Sequence, residues 1–450
     1  MDSGGQAGAS AADYSTKPRR HTAGRPCLAA HRLLTRRVGT ILPPMTTHAS
    51  ASFEHLLSTR ARIGWGAPSG TVRPVVDPQY EFGGGLPDPA SFPYDGLVDA
   101  TARMMKAEGA RALSYGDPQG YRGLRELVCH KYELFEGLKV TPENLIVSHG
   151  SGHALALAFG AFVDTGDPII SEAPTFSGTL NTIRRHGPRV LDVPVDAEGI
   201  VTEAVRERLE TLRGEGRHCK LIYTIVNFQN PAGPTQSLRR RHELVELAHR
   251  YDTVILEDDA YGELRFEGDM LPSLYAIDGG RRVIRAGTLS KILGAGVRLG
   301  WLCAPREMIP AFQGFLFGGG VSPFTSRVAT WFMRDHMASH VALLVTVYRA
   351  KRDAMLRGLW EVLAGTDVEI SKPEGGFFIW IKLPTGTRPD RLAELAAAAR
   401  VQYTPGRAFF PNGGGQEHIR LAFSYESPER CYEGAGLIAQ AIREAAGEVR

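Results

Sequence analysis

From Thr141 onward the chain alternates two rhythms. Short runs of β-branched and aliphatic residues, "NLIVS", "PIISEAP", "KLIYTIV", "TVILEDD" and "RVIRAGTLS", are separated by stretches whose apolar positions recur every three or four residues, such as "GHALALAFGAFV", "SGTLNTIRRH" and "RRRHELVELAHRY". In the last of these Leu244, Leu247, Ala248 and Tyr251 share one helical face. Runs apolar throughout, bridged by amphipathic helices, predict a mainly parallel sheet covered on both sides, the doubly wound α/β arrangement. Beyond about Ser326 the character changes to a long helix through "VALLVTVYRAKRDAMLRGLWEVL", the strand "GGFFIWIKL", the helical "RLAELAAAAR", the strand "HIRLAFSY" and a closing helix. That order predicts a smaller α+β domain. The expected division is a disordered or dispensable extension over 1–50, an N-terminal arm over 51–95 that contributes to the small domain, a large ligand-binding domain over 96–325 and the small domain over 326–450. The triplets Gly83 to Gly85, Gly318 to Gly320 and Gly413 to Gly415 read as loops or hinges.

Composition narrows the class. With 450 residues, 43% apolar and 8% aromatic, the chain can bury a large core. No apolar run approaches the roughly 20 residues that cross a bilayer, and Met1–Pro44 lacks the apolar centre of a secretory signal, so a cytoplasmic protein without a membrane partner is expected. The formal charge of +3 resides in Met1–Pro44, where Asp2 and Asp13 face Lys17, Arg19, Arg20, Arg25, Arg32, Arg36 and Arg37. The remainder is close to neutral, which gives no electrostatic case for nucleic acid, and no helix-turn-helix pattern appears. Cys27, Cys129, Cys219, Cys303 and Cys431 are scattered and without CxxC spacing, as suits a reducing compartment. The Arg-rich leader reads as a dispensable extension, with Met45 as a candidate start, or as an organellar transit peptide.

Ligands of open α/β sheets gather beyond the carboxyl ends of the strands. "NLIVS" leads to Ser151 and Gly152 at a helix start, whose N–H groups form an anion site. "TIVNFQ" leads to Asn230 in a proline-glycine turn, "TVILE" to Asp258 and Tyr261, and "VIRAG" to Thr288, Ser290 and Lys291 with Arg298 beyond. Singly, each has an ordinary reading: a solvated lysine, an aspartate N-cap, a turn, a core phenylalanine at Phe176. Together they bring an amine, a carboxylate, a phenol, an amide and a phosphate cradle to one mouth. Two rivals fall short. "GSGHAL" imitates a dinucleotide fingerprint but has Leu155 at the third glycine position. His149 and His153 lack a third ligand, so no metal is expected.

These residues resemble the pyridoxal-phosphate aminotransferases of fold type I, class I/II, most closely the 2-aminoadipate and kynurenine aminotransferase branch. The resemblance rests on "GGGLPDPASFP", "YGDPQGYRGLRE", "SHGSGHALAL", "EAPTFSGTL", "NFQNPAGPT", "EDDAYGELRF", "GTLSKILGAGVRLGW", "PEGGFFIW" and "HIRLAFSYESPE", from about Phe82 to the C-terminus. It implies pyridoxal phosphate bound in the large domain, an L-amino acid donor, a 2-oxo acid acceptor and a homodimer with shared active sites. By position, Lys291 is implied to form the Schiff base, Asp258 to pair with the pyridine nitrogen, and Asn230 and Tyr261 to contact the phenolic oxygen. Phe176 is implied to lie on the ring face. Ser151, Gly152, Thr288, Ser290 and Arg298 are implied to hold the phosphate, Tyr115 to reach that of the neighbouring subunit, and Arg420, with Gly85 and Asn230 close by, to bind the substrate carboxylate. A buried acid keeps a ring nitrogen protonated, and a freed lysine amine beside Cα acts as base and then acid.

Three positions depart from the family pattern: Gly152 stands for a glutamine, Phe176 for a tyrosine and Ala295 for a proline. The segment before Gly83 is not covered by the resemblance, which leaves Arg60, Arg62 and Arg73 as unaligned candidates for the substrate side chain. The alternative outcome on the same cofactor is elimination, racemisation, decarboxylation, or dehydration and cyclisation in a biosynthetic pathway.

Overall fold

The alternation of apolar runs and amphipathic stretches resolves into strands and covering helices in the computed structural model, which describes residues 54–58, 61–62, 77–316 and 320–447. The chain divides into two units, Met1–His55 and Leu56–Arg450, and the strands and helices of the site belong to the second. The extension 1–50, Arg60, Arg73, Gly318 and Gly319 lie outside the described residues.

Among the described residues the strands are β1 (Tyr80–Glu81), β2 (Leu145–Ser148), β3 (Pro168–Ala173), β4 (Arg189–Asp196), β5 (Gly199–Ile200), β6 (Leu221–Ile225), β7 (Val254–Asp259), β8 (Val283–Thr288), β9 (Gly300–Cys303), β10 (Glu369–Ile370), β11 (Phe378–Lys382), β12 (Val401–Gln402), β13 (Thr404–Pro405) and β14 (His418–Ala422). The large sheet has the order β2-β9-β8-β7-β6-β3-β4-β5. Strands β8, β7, β6, β3 and β4 are mutually parallel. Strand β9 runs antiparallel between β2 and β8, and β5 closes the far edge antiparallel to β4.

Period-2 alternation sends successive side chains to opposite faces, and here both faces are dry. Ile170, Ile222, Ile255 and Val283 face a core filled from the helices Arg122–Glu136, Thr202–Gly214 and Leu238–Arg250. Ile169, Leu221, Tyr223, Leu256 and Ile284 face the other, filled by Ala154, Leu155 and Phe159 of the helix Ser151–Phe162 and Leu180 and Ile183 of the helix Ser177–His186. Each such apolar side chain contributes roughly 1.5–3 kcal/mol of burial free energy, so these strands read as largely continuous apolar runs rather than alternating ones. The result is an α/β fold with a mostly parallel central sheet.

The 41-residue helix Pro323–Leu363, capped by the Ser322 side chain, packs against the helices Pro428–Gly447 and Tyr94–Ala112. A small antiparallel sheet, β10-β11-β14-β13, forms beyond it. Strand β1 pairs in parallel with β12, which brings the loop at Gly83 beside the small sheet: Ala422 donates to the Phe82 carbonyl at 2.7 Å. The chain thereby delivers Gly83 and Gly85 to the mouth of the large sheet.

Candidate active site

The carboxyl ends of β6, β7 and β8 place their side chains by register. Ile225 stands opposite Asp258, and Asp258 opposite Ala286, so the acid emerges on the face of the sheet shared with Tyr223 and Leu256. Its neighbour Asp259 points the other way, to Asn227 Nδ2 at 2.9 Å and to the Arg285 guanidinium, which also grips Glu136 at 2.7 Å through each of its two terminal nitrogens. That buried cluster holds the end of β7 from beneath.

Asp258 is buried, with Oδ2 accepting a hydrogen bond from the Tyr223 hydroxyl at 2.8 Å and Oδ1 without a partner. Burial pushes its carboxyl up to about 6, against the Tyr223 hydrogen bond and the attraction of Lys291. Lys291 follows β8 and donates to the Gly85 carbonyl at 3.1 Å, its amine 5.5 Å from the Tyr261 ring centre and 5.4 Å from that of Phe377. Burial, with repulsion from Arg420, brings its ammonium down to about 8 although Asp258 pulls the other way. A buried carboxyl moved up beside an amine moved down is the kind of paired shift that active sites concentrate.

Arg420 comes from β14 in the small sheet. It donates to Asn230 Oδ1 at 2.9 Å, to the Gly83 carbonyl at 2.6 Å and to Thr404 Oγ1 at 3.3 Å, and lies 4.1 Å from the Phe378 ring centre and 4.7 Å from that of Phe409. Tyr261 is hydrogen-bonded to Asn230, and burial raises its phenol far above the ordinary range despite the Arg420 charge. Arg420 and Asn230 thus meet although 190 positions separate them.

The anion cradle forms at the amino end of the helix Ser151–Phe162. Gly150 sits at φ 78°, a left-handed backbone in which any side chain is strained, and a Cβ there meets the Arg298 guanidinium at 2.8 Å. Arg298 donates to the His149 carbonyl at 3.0 Å, Thr288 Oγ1 lies 2.8 Å from Ser290 Oγ, and Ser290 N donates to Thr288 Oγ1 at 3.0 Å. Phe176 caps the helix Ser177–His186 and is half-buried, whereas Tyr115 stands 93% exposed.

The structure therefore gathers Asp258, Lys291, Tyr261, Asn230, Arg420 and Gly85 around one mouth, with Ser151 and Gly152 at the helix start, Arg298, Thr288 and Ser290 on the turns beside it, and Tyr115 on the surface. Reading the sequence missed Thr404, Phe378 and Phe409 around the arginine, Tyr223 behind the acid, and Glu172. The last accepts from Thr224 Oγ1 at 2.5 Å, Ile225 N at 3.0 Å and Gln229 Nε2 at 2.9 Å, and burial pushes it up to about 7. Tyr223 and Glu172 showed in advance only as polar side chains inside otherwise apolar runs, and nothing in the sequence singled out Thr404, Phe378 or Phe409.

The fold and this site define a cofactor-dependent enzyme acting on amino acids. Residues 87–436 match the family model "Aminotransferase class I and II", and the chain belongs to that family. It is 35% identical over 364 residues to aromatic-amino-acid aminotransferase 1 of Thermococcus litoralis, across 80% of this chain and 87% of the relative. The multiple substrate aminotransferase of Thermococcus profundus superposes with a TM-score of 0.82 at 32% identity, across 89% of this chain and 100% of that one. LysN, the α-aminoadipate aminotransferase of Thermus thermophilus complexed with N-(5'-phosphopyridoxyl)-L-leucine, gives 0.80 at 30% identity, across 88% and 99%. The cofactor is pyridoxal phosphate and the reaction is transamination between an amino acid and an oxo acid. The residues present fit that group: an orphaned buried carboxylate oxygen suits a protonated ring nitrogen, a helix amino end with hydroxyls and an arginine suits a phosphate, and an amine of lowered pKa suits an aldehyde.

Proposed function

We propose that Lys291, Asp258 and Arg420 carry the transamination, in one of two sites shared across a homodimer. The observation that carries this reading is the buried, unpartnered Oδ1 of Asp258, whose Oδ2 is anchored by Tyr223 and whose charge is favoured by Lys291. When bound, pyridoxal phosphate supplies an aldehyde carbon that exchanges amino groups and a ring that takes up the electron pair left at Cα.

The chain's own residues do the rest. Asp258 would offer its free oxygen to the ring nitrogen and favour positive charge there. Asn230 and Tyr261 would hydrogen-bond the phenolic oxygen, and Phe176 would face the ring. Ser151, Gly152, Thr288, Ser290 and Arg298 would hold the phosphate. Lys291 would hold the aldehyde when the cofactor is bound, and its amine, once free, would serve as the base that takes the proton from the substrate Cα and then as the acid that returns it. Arg420 offers a planar fork to the α-carboxylate, which sets the bond at Cα that breaks.

The dimer is supported by the apolar surface of the helix Tyr94–Ala112 and the turn after it, where Tyr94, Val98, Leu113 and Tyr115 are 61%, 69%, 74% and 93% exposed. Tyr115 of one protomer reaches the phosphate of the other. A cytoplasmic setting is supported by the free thiols of Cys129, Cys219, Cys303 and Cys431. Borohydride reduction of the holoenzyme followed by peptide mapping tests the reading. A phosphopyridoxyl tag on Lys291 supports it; a tag on another lysine, or conversion of amino donors without formation of pyridoxamine phosphate, removes it.

A further inference from the structure

Behind the acid runs a hydrogen-bond chain that none of these proton transfers uses. Tyr223, on β6, is fully buried, and its hydroxyl donates to Asp258 Oδ2 at 2.8 Å. A phenol has one hydrogen, so its remaining contact, Thr179 Oγ1 at 2.9 Å, is one in which threonine donates and tyrosine accepts. Thr179 is itself buried and lies in the first turn of the helix Ser177–His186, whose N-cap is Phe176. Three elements, a helix start, β6 and the end of β7, are thereby joined through two hydroxyl groups in a dry core, where an unpaired polar atom is expensive and a polarised chain is strengthened.

We propose that Tyr223 and Thr179 are positioning residues for the cofactor ring: the chain from Thr179 through Tyr223 fixes the orientation of Asp258 and ties it to the helix that presents Phe176. The inference rests on the reading that Asp258 meets the ring nitrogen. With Oδ2 pinned by the phenol, the carboxylate cannot rotate freely, and Oδ1 is left as the sole free acceptor. Because Thr179 and Phe176 occupy the same helical turn, the surface facing the ring and the acid at its edge are set in one geometry. The phenol also helps to keep the acid ionised. The other groups acting on Asp258 are Lys291, which favours its charge, and Asp259, which opposes it. Glu172 and Tyr261 complete the titratable surroundings.

The test uses the holoenzymes of Tyr223→Phe and Thr179→Val, which keep the packing volume, with Asp258→Asn as reference. The readouts are the rate of cofactor release on dialysis, the pH midpoint of the bound cofactor's visible absorption, and kcat and KM separately. Tyr223→Phe is expected to release cofactor roughly tenfold faster, to lower kcat about tenfold with KM little changed, and to move the acid limb of activity to higher pH. Thr179→Val is expected to move each in the same direction by a smaller factor. Wild-type release rates and absorption midpoints in both variants, even with a lowered melting temperature, overturn the inference and leave the two hydroxyls as core packing. If Asp258→Asn also leaves release and absorption unchanged, the reading of Asp258 itself fails and takes the inference with it.

Discussion

Arg420 of the small sheet donates a 2.9 Å hydrogen bond to Asn230 Oδ1 in the turn that follows β6, so that the proposed carboxylate fork is aimed by a residue from the loop beyond the large sheet. Its other arm is held by the Gly83 carbonyl at 2.6 Å, and the ring of Phe378 lies against its face. A lysine keeps the charge but loses both the planar fork and the stacking. Loss of one charge-assisted hydrogen bond, about 1.5–3 kcal/mol, predicts that Arg420→Lys lowers kcat/KM for an amino donor about 10- to 100-fold. Steady-state kinetics beside the visible absorption of the holoenzyme checks it: the loss is expected with an unchanged cofactor spectrum.

Lys291 sets a pH dependence on loading of the cofactor. Burial lowers its pKa to about 8, so in the apoenzyme the amine gains its free, nucleophilic form as pH rises through that value rather than through the ordinary lysine range. The rate of pyridoxal phosphate uptake is expected to fall about tenfold for each pH unit below 8 and to level off above it. Under the same conditions the reaction of Nα-acetyl-lysine with the aldehyde keeps rising past pH 9. Stopped-flow absorbance from pH 6 to 10 distinguishes the two, and an uptake rate still climbing at pH 10 contradicts the lowered pKa.

Lys131 and Glu263, 2% and 3% exposed, form a buried ion pair under the sheet, with the ammonium 4.8 Å from the Tyr132 ring centre. Desolvation makes such a pair a weak source of net stability, yet removing one partner strands the other charge in the core. Lys131→Met is therefore expected to cost about 3–5 kcal/mol in denaturant unfolding. The double replacement Lys131→Met with Glu263→Leu is expected to recover most of that loss. Failure of the second change to recover stability means that the pair is more than a charge and its counter-charge.

The strand ends were legible because each apolar run stops in polar residues, as at Asn227, Asp258 and Thr288, and a run dry on both faces has no alternation to confuse the reading. Three strands of the same sheet, β4, β5 and β9, escaped. Strand β4, next to the edge, is mostly half-buried and carries Pro194, and the edge strand β5 is only two residues long, so neither pattern separates from a loop. The four-residue β9 follows the Lys291 turn closely and runs antiparallel, against the rhythm of its neighbours. The helix Pro323–Leu363 begins well before its apolar stretch, because Arg327 and Thr330 are buried on its packing face. Within the site, the groups that react announced themselves by type and position. Those that hold them, Tyr223, Thr179 and Thr404, look like ordinary core or turn residues until the sheet brings distant positions together.

Tyr115 offers the sharpest test of a shared site, because it stands 93% exposed in a protomer whose other proposed phosphate-binding residues cluster elsewhere. If its hydroxyl serves the neighbouring protomer, a two-fold dimer places one site's lysine and the other's tyrosine in different chains. Tyr115→Ala is then expected to bind cofactor weakly, and Lys291→Ala to be inactive while still dimeric. Unfolding and refolding the two inactive variants together lets half the dimers form as hybrids. In each hybrid one site combines the intact lysine of one chain with the intact tyrosine of the other. At a cofactor concentration that fills wild-type sites but not those lacking Tyr115, random assortment predicts recovery of up to about a quarter of the wild-type sites. Activity equal to the sum of the separately refolded variants means that each site draws its tyrosine from its own chain, and sedimentation of the mixture as monomers removes the shared site altogether.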